Sequence, residues 1–217
     1  MVEAIITVLT LALLAGAFGR LHRLGRARIE AAERALVASH IDWAETHGGG
    51  RHAPELRRPW IVGAVQVRAE IDGREVLVRS GEYRVEGEGP HDEPRTACAV
   101  RLSTEQPHFS LHPRLFGFAV GRGIGPGPFD SRYLVHRPAH AGPLLTSDSR
   151  VLLLALPDRL SRPVSLDLTD DVLQLWTEGH LDSPTTIQVL VDATLALARS
   201  IEAIDLGAAP PRRRLFR

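Results

Sequence analysis

The rhythm of apolar and polar positions changes several times along the chain, and each change marks a different kind of element. Residues Ala4 to Gly19 (AIITVLTLALLAGAFG) carry no charge and almost no polarity. A membrane-crossing helix needs about 20 mainly apolar residues, so this run predicts a single transmembrane helix over residues 1–20. From Leu21 to His47 the spacing becomes helical. Ile29, Leu36 and Trp43 recur at every seventh position, and Glu30 stands four before Arg34 in the stabilising order. Gly48, Gly49 and Gly50 end this juxtamembrane helix, residues 21–50. Its stripe suits packing on the chain's own domain or pairing with a second copy.

After a polar linker at residues 51–59 the period falls to two, opening a globular domain over residues 60–206. Trp60 to Ile71 and Arg74 to Arg79 alternate around Asp72-Gly73, a hairpin pattern with a tight turn. Tyr83 to Glu86 extends the second run, Glu88 to Pro94 reads as a charged loop, and Thr96 to Leu102 and His108 to His112 as further strands. Phe116 to Val120 leads into the loop Gly121 to Pro128, and Arg132 to Val135 forms another strand. A helix capped by Thr146 or Ser147 then carries Leu152, Leu153 and Leu156 and stops at Pro157. Val164 to Leu168 and Val172 to Trp176 form a second hairpin. Ser183-Pro184 opens a longer C-terminal helix with the stripe Ile187, Leu190, Val191, Thr194, Ala198 and Ile201. The predicted class is α+β: a transmembrane helix and helical stalk, then a mainly antiparallel sheet with two helices, the longer one last.

Charge adds an orientation. The apolar run ends at Arg20, and Arg23, Arg26 and Arg28 follow; positive charge is retained on the cytoplasmic side, which predicts an inner-membrane protein with its domain in the cytoplasm. A cleaved secretory signal fits less well, because Glu3 is the sole charged side chain ahead of the apolar run. A buried core helix would show a polar face that Thr7 and Thr10 do not supply. All 26 basic residues are arginine. Setting aside Arg20, Arg23, Arg26, Arg28 and Arg34, and Arg212, Arg213, Arg214 and Arg217 of the basic tail (residues 207–217), leaves 17 arginines against 23 acids in residues 35–209. A mildly acidic body does not suit nucleic acid, whereas basic ends suit anionic lipid. The lone Cys98 can form no internal disulfide and fits a reducing compartment.

The order Phe129-Asp130, Tyr133, Val135, then Leu144-Leu145-Thr146, the leucines 152–154 and the closing hairpin and helix resembles a widespread group of uncharacterised bacterial membrane-anchored proteins. In that group a glycine, a short gap, FD, two residues, an aromatic, one residue and V precede LLT. The resemblance covers roughly residues 60 to 204 and implies the α+β architecture, with Phe129, Asp130, Tyr133 and Val135 as a structural motif. It implies no catalytic residue.

The candidate sites each have a plainer explanation. Glycine-rich loops hold phosphate where they join a strand to a helix, but Gly121 to Gly127 reads as a strand-to-strand connection without a GxGxxG or Gly-Lys-Ser/Thr pattern. His108 and His112, and His136 and His140, lie four apart without a matching acid or cysteine, which predicts surface histidines and no metal. Asp130 beside Ser131 lacks a nucleophile elbow, so Asp130 is expected to bond backbone in a turn, and Phe129 and Tyr133 to belong to the core. Asp167, Asp170 and Asp171 lack calcium-loop spacing and read as a solvated hairpin tip. No cofactor is predicted. The reading that remains is a membrane protein with a domain that binds another protein or its own copy. The alternatives are an enzyme with a non-local site, where Asp130, Arg122 and the histidines come first, and a lipid-sensing pleckstrin-like module.

Overall fold

The computed structural model describes residues 26, 28–51, 65–85, 91–114, 124 and 127–204. Helix α1 spans residues 28–46 and gives way at Gly48, whose φ of 69° suits a residue without Cβ. The chain divides between Ala38 and Ser39 into two compact units. In the first, Ile29 is largely exposed. In the second, Trp43 is buried and its Nε1 donates to Gln188 Oε1 at 2.7 Å, so this end of the stripe packs on the chain's own domain.

Among the described residues that domain is built on one antiparallel sheet of eight strands: β1 (Gly50–Arg51), β2 (Val65–Ile71), β3 (Arg74–Val85), β4 (His91–Arg101), β5 (Phe109–Pro113), β6 (Tyr133–His136), β7 (Val164–Thr169) and β8 (Val172–Glu178). Their order is β1-β2-β3-β4-β8-β7-β5-β6. Period-two alternation puts every second residue on one face. The register lines up Val67, Val78, Cys98, Leu175, Leu166, Leu111 and Val135 as one row across seven strands, and all are buried. Asp72 and Gly73, both at positive φ (54° and 73°), close the β2–β3 hairpin.

Helix α5 (Pro184–Glu202) lies over β4 and β8 on this apolar face, and α4 (Ser147–Leu160) packs on α5. The Ser183 hydroxyl caps α5 by accepting from Thr186 N, and Thr146 caps α4 by accepting from Ser149 N. The expected stripe of α5 is buried, and so are Ala193, Leu195 and Leu197, because α5 serves the sheet on one side and α4 on another.

Several expectations need correction. No helix among the described residues is long and apolar enough to cross a membrane. The run Ala4 to Gly19 on which a transmembrane helix was expected, with Arg20 and Arg23, lies outside the described residues. The sheet domain carries more than two helices. Alongside α4 and α5 stand α2 (Pro128–Arg132) and α3 (Pro138–Leu144), short and each opened by a proline, which suits the first turn because its missing N–H costs nothing there. Pro157 does not end α4. It removes the N–H that would bond Leu153 O, and the Tyr133 hydroxyl donates to that carbonyl at 2.9 Å instead. The Glu88 to Pro94 segment is partly strand, since β4 starts at His91 and Arg84 binds Asp92 across the hairpin at 2.6 Å. Phe116 to Val120 lies outside the described residues.

Candidate functional site

The sheet's second face, turned away from α4 and α5, carries the complementary register. Arg68, Leu77, Ala99, Gln174, Asp167, Ser110 and His136 form one row across the same seven strands. Beside it Trp176 and Arg95 occupy the off-core positions of β8 and β4. Arg95 is held between two rings, its guanidinium carbon 3.8 Å from the Tyr83 ring centre and 3.7 Å from that of Trp176. Such stacking on a flat aromatic face is favourable for a delocalised cation. The Glu93 carboxylate pairs with the same guanidinium. Trp176 Nε1 donates to Asp167 Oδ2 at 2.7 Å. On the far side, the His112 ring lies 6.0 Å from Trp176 and 5.4 Å from His136. These groups come from β3, β4, β8, β7, β5 and β6, so the network joins six neighbouring strands of the sheet.

The face is ordered and only partly solvated. Trp176 is 8% exposed and the Arg95 side chain 12%, whereas Gln174, Asp167 and His112 are half-buried and His136 is exposed. Burial pushes the His112 pKa below its ordinary value; the Asp167 carboxylate opposes this, and His136 and Arg95 add to it. Asp167, expected at a solvated hairpin tip, is instead half-buried and accepts from Trp176, and no sequence motif marks Tyr83, Arg95 or Trp176. The available signal was Trp176 itself, a large aromatic placed on the polar register of a strand.

The structure pairs the histidines across the two sequence-neighbouring sets. His112 meets His136, while His140 Nδ1–H donates to His108 O at 2.9 Å. No group of three His, Cys, Asp or Glu side chains among the described residues is placed to hold a metal. Asp130 Oδ1 accepts the Ile124 N–H at 2.7 Å, and Phe129 stacks on Tyr133 with centroids 5.0 Å apart. Phe129, Tyr133 and Val135 are buried. Gly127 leads into α2 at Pro128 and not into a strand; most of Gly121 to Pro126, Arg122 included, lies outside the described residues, as do Arg212 to Arg214 and Arg217, whereas Arg26 and Arg28 are exposed.

A buried hydroxyl chain is a second polar feature among the described residues. His40 Nε2 lies 2.9 Å from Ser80 Oγ, which lies 2.6 Å from Thr96 Oγ1. Thr96 donates to Gly179 O and accepts from Leu181 N. All three residues are fully buried, and the chain of contacts fastens residues 39–46 of α1 to the sheet. A groove of about 410 Å³ between Gly48–Arg51 and the β2–β3 hairpin is bordered by the exposed Arg68–Glu75 pair, 2.7 Å apart.

These features define a two-layer α+β protein with an antiparallel sheet, helices over one face and an ordered arginine-aromatic surface on the other. The same fold occurs in the crystal structure of the mycobacterial trehalose monomycolate transport factor A, TtfA. It is similar with a TM-score of 0.52 at 14% identity, covering 83% of this chain and 99% of that one. That likeness concerns the fold and transfers no residue. No protein-family model matches the chain, and no curated protein matches it in sequence.

Proposed function

We propose that this chain is a non-enzymatic factor that works at a membrane by binding another protein through the outer face of its sheet. The observation that carries this reading is the Tyr83–Arg95–Trp176–Asp167 network. Arginine, tryptophan and tyrosine dominate the energetics of protein interfaces, and side chains already held in place lose little freedom on docking. The fold supports it, since the similar structure is named as a transport factor. An accessory role in transport is therefore the proposed class of activity. Attachment to the cytoplasmic leaflet of the inner membrane is supported by the sequence: an apolar run to Gly19, then Arg20, Arg23, Arg26 and Arg28, which suit anionic headgroups. Kinship with the uncharacterised membrane-anchored bacterial group is part of the same proposal.

The test is crosslinking of the full-length protein in its native membrane, comparing Arg95→Ala on the outer face with Val151→Arg on α4, where Val151 is 65% exposed. The reading expects a discrete protein partner whose recovery falls more than about tenfold with Arg95→Ala and is unchanged with Val151→Arg. Equal recovery from Arg95→Ala and the parent contradicts it. Recovery of a second copy of this chain would identify the partner as self.

A further inference from the structure

Trp176 is the shared neighbour of two basic groups with different properties. Arg95, always charged, stacks on its ring at 3.7 Å; His112, which changes charge near neutral pH, lies 6.0 Å away, and Asp167 fixes the indole by accepting its N–H at 2.7 Å. Every element around His112 contributes to its surroundings: Asp167 from β7, His136 from β6, Arg95 from β4 and the indole from β8. We propose that His112 and His136, acting through Asp167 and Trp176, form a pH-responsive switch that loosens the Arg95–Trp176 stack when His112 becomes charged.

The two states follow from charge placement. With His112 neutral, one cation faces the indole, and the Asp167 carboxylate is free to hold the Trp176 N–H. With His112 charged, two cations share one ring, and the carboxylate is drawn toward the new imidazolium at the expense of the indole. The interior of a partly buried face strengthens both effects relative to water. His112 takes up its proton below 6.5, the ordinary value, because burial opposes the charge. Removing the His136 ring removes a like-charge penalty and raises the midpoint; removing the Asp167 charge lowers it. The switch lies within the proposed docking face, but its operation requires no partner, so the docking proposal and this one fail separately.

The test is selective ¹⁵N-tryptophan labelling of the full-length protein in lipid nanodiscs, following the indole N–H signals from about pH 7.5 to about pH 5. The chain has three tryptophans, and Trp176→Phe assigns the signal. The expected result is a Trp176 signal that moves along one titration curve with its midpoint below 6.5. That curve disappears in His112→Gln, shifts to higher pH in His136→Gln and to lower pH in Asp167→Asn. A Trp176 signal that stays still over this range overturns the proposal. So does a curve unchanged in His112→Gln, or a His136→Gln midpoint that fails to rise.

Discussion

Tyr133 shows how a single side chain can decide an element elsewhere. Its ring is buried against Phe129, and its hydroxyl reaches the Leu153 carbonyl that Pro157 leaves without a helical donor. Burial pushes the phenol up to about 12, so it remains a donor at any physiological pH. Tyr133→Phe keeps the ring and abandons a buried carbonyl, which costs about 1–3 kcal/mol. Urea unfolding should show a lower midpoint with an unchanged slope, whereas a loss below about 0.5 kcal/mol would remove Tyr133 from this role. The sequence identified Tyr133 as core and Pro157 as a helix breaker, and each expectation was local. The link between them runs from the Tyr133 hydroxyl to the Leu153 carbonyl, 20 residues away, which hydrophobic periodicity does not register. The burial of Cys98 has a simpler signal, the alternating apolar segment TACAVRL, residues 96–102. Its thiol is fully buried, and burial pushes it up to about 12.

Elements with a strong period or a specific stop signal were readable, and those set by distant contacts were not. Asp72-Gly73 and Ser183-Pro184 each demand one backbone geometry, so the hairpin and the start of α5 followed from them directly. Alternation likewise shows which residues of a strand share a face, but it does not name the neighbouring strand. The insertion of β8 between β4 and β7 was therefore invisible, and with it the meeting of Arg95 with Trp176. Helices α2 and α3, five and seven residues long, offer too few turns for a stripe. The end of α5 makes a testable contact at this scale. Glu202 accepts from Arg74 Nη1 at 3.0 Å and from the Ser103 N–H at 2.6 Å, tying the helix to the β2–β3 hairpin and to the segment after β4. The Arg74 guanidinium holds its carboxyl below the ordinary 4.5. The folded state thus releases this proton more readily than the unfolded state does. The stability gained is complete above about pH 4.5 and is lost as pH falls through the folded value. Glu202→Gln should cost about 1–3 kcal/mol near neutral pH, with a difference from the parent that shrinks on acidification. A difference independent of pH in denaturation curves would exclude the charge as its cause.

At the scale of the whole molecule, the division of labour between the two sheet faces explains why composition said so little about function. The apolar face and its helices consume the periodic signal, while the outer face is assembled from single residues on six strands that no local motif unites. The lowered His112 value has a global consequence as well. The folded protein binds this proton less readily than the unfolded chain, so stability falls as pH drops below about 6.5 and levels off below the folded value. Acidification therefore weakens the outer face before the Glu202 tie is lost. The most direct measurement is site-specific photocrosslinking in the native membrane, with a photoreactive residue replacing Gln174 at the centre of the outer face or Val151 on α4. The account predicts that position 174 captures a discrete protein and position 151 does not. Capture from position 151 alone, or from neither position, would contradict an outer face that binds a protein partner.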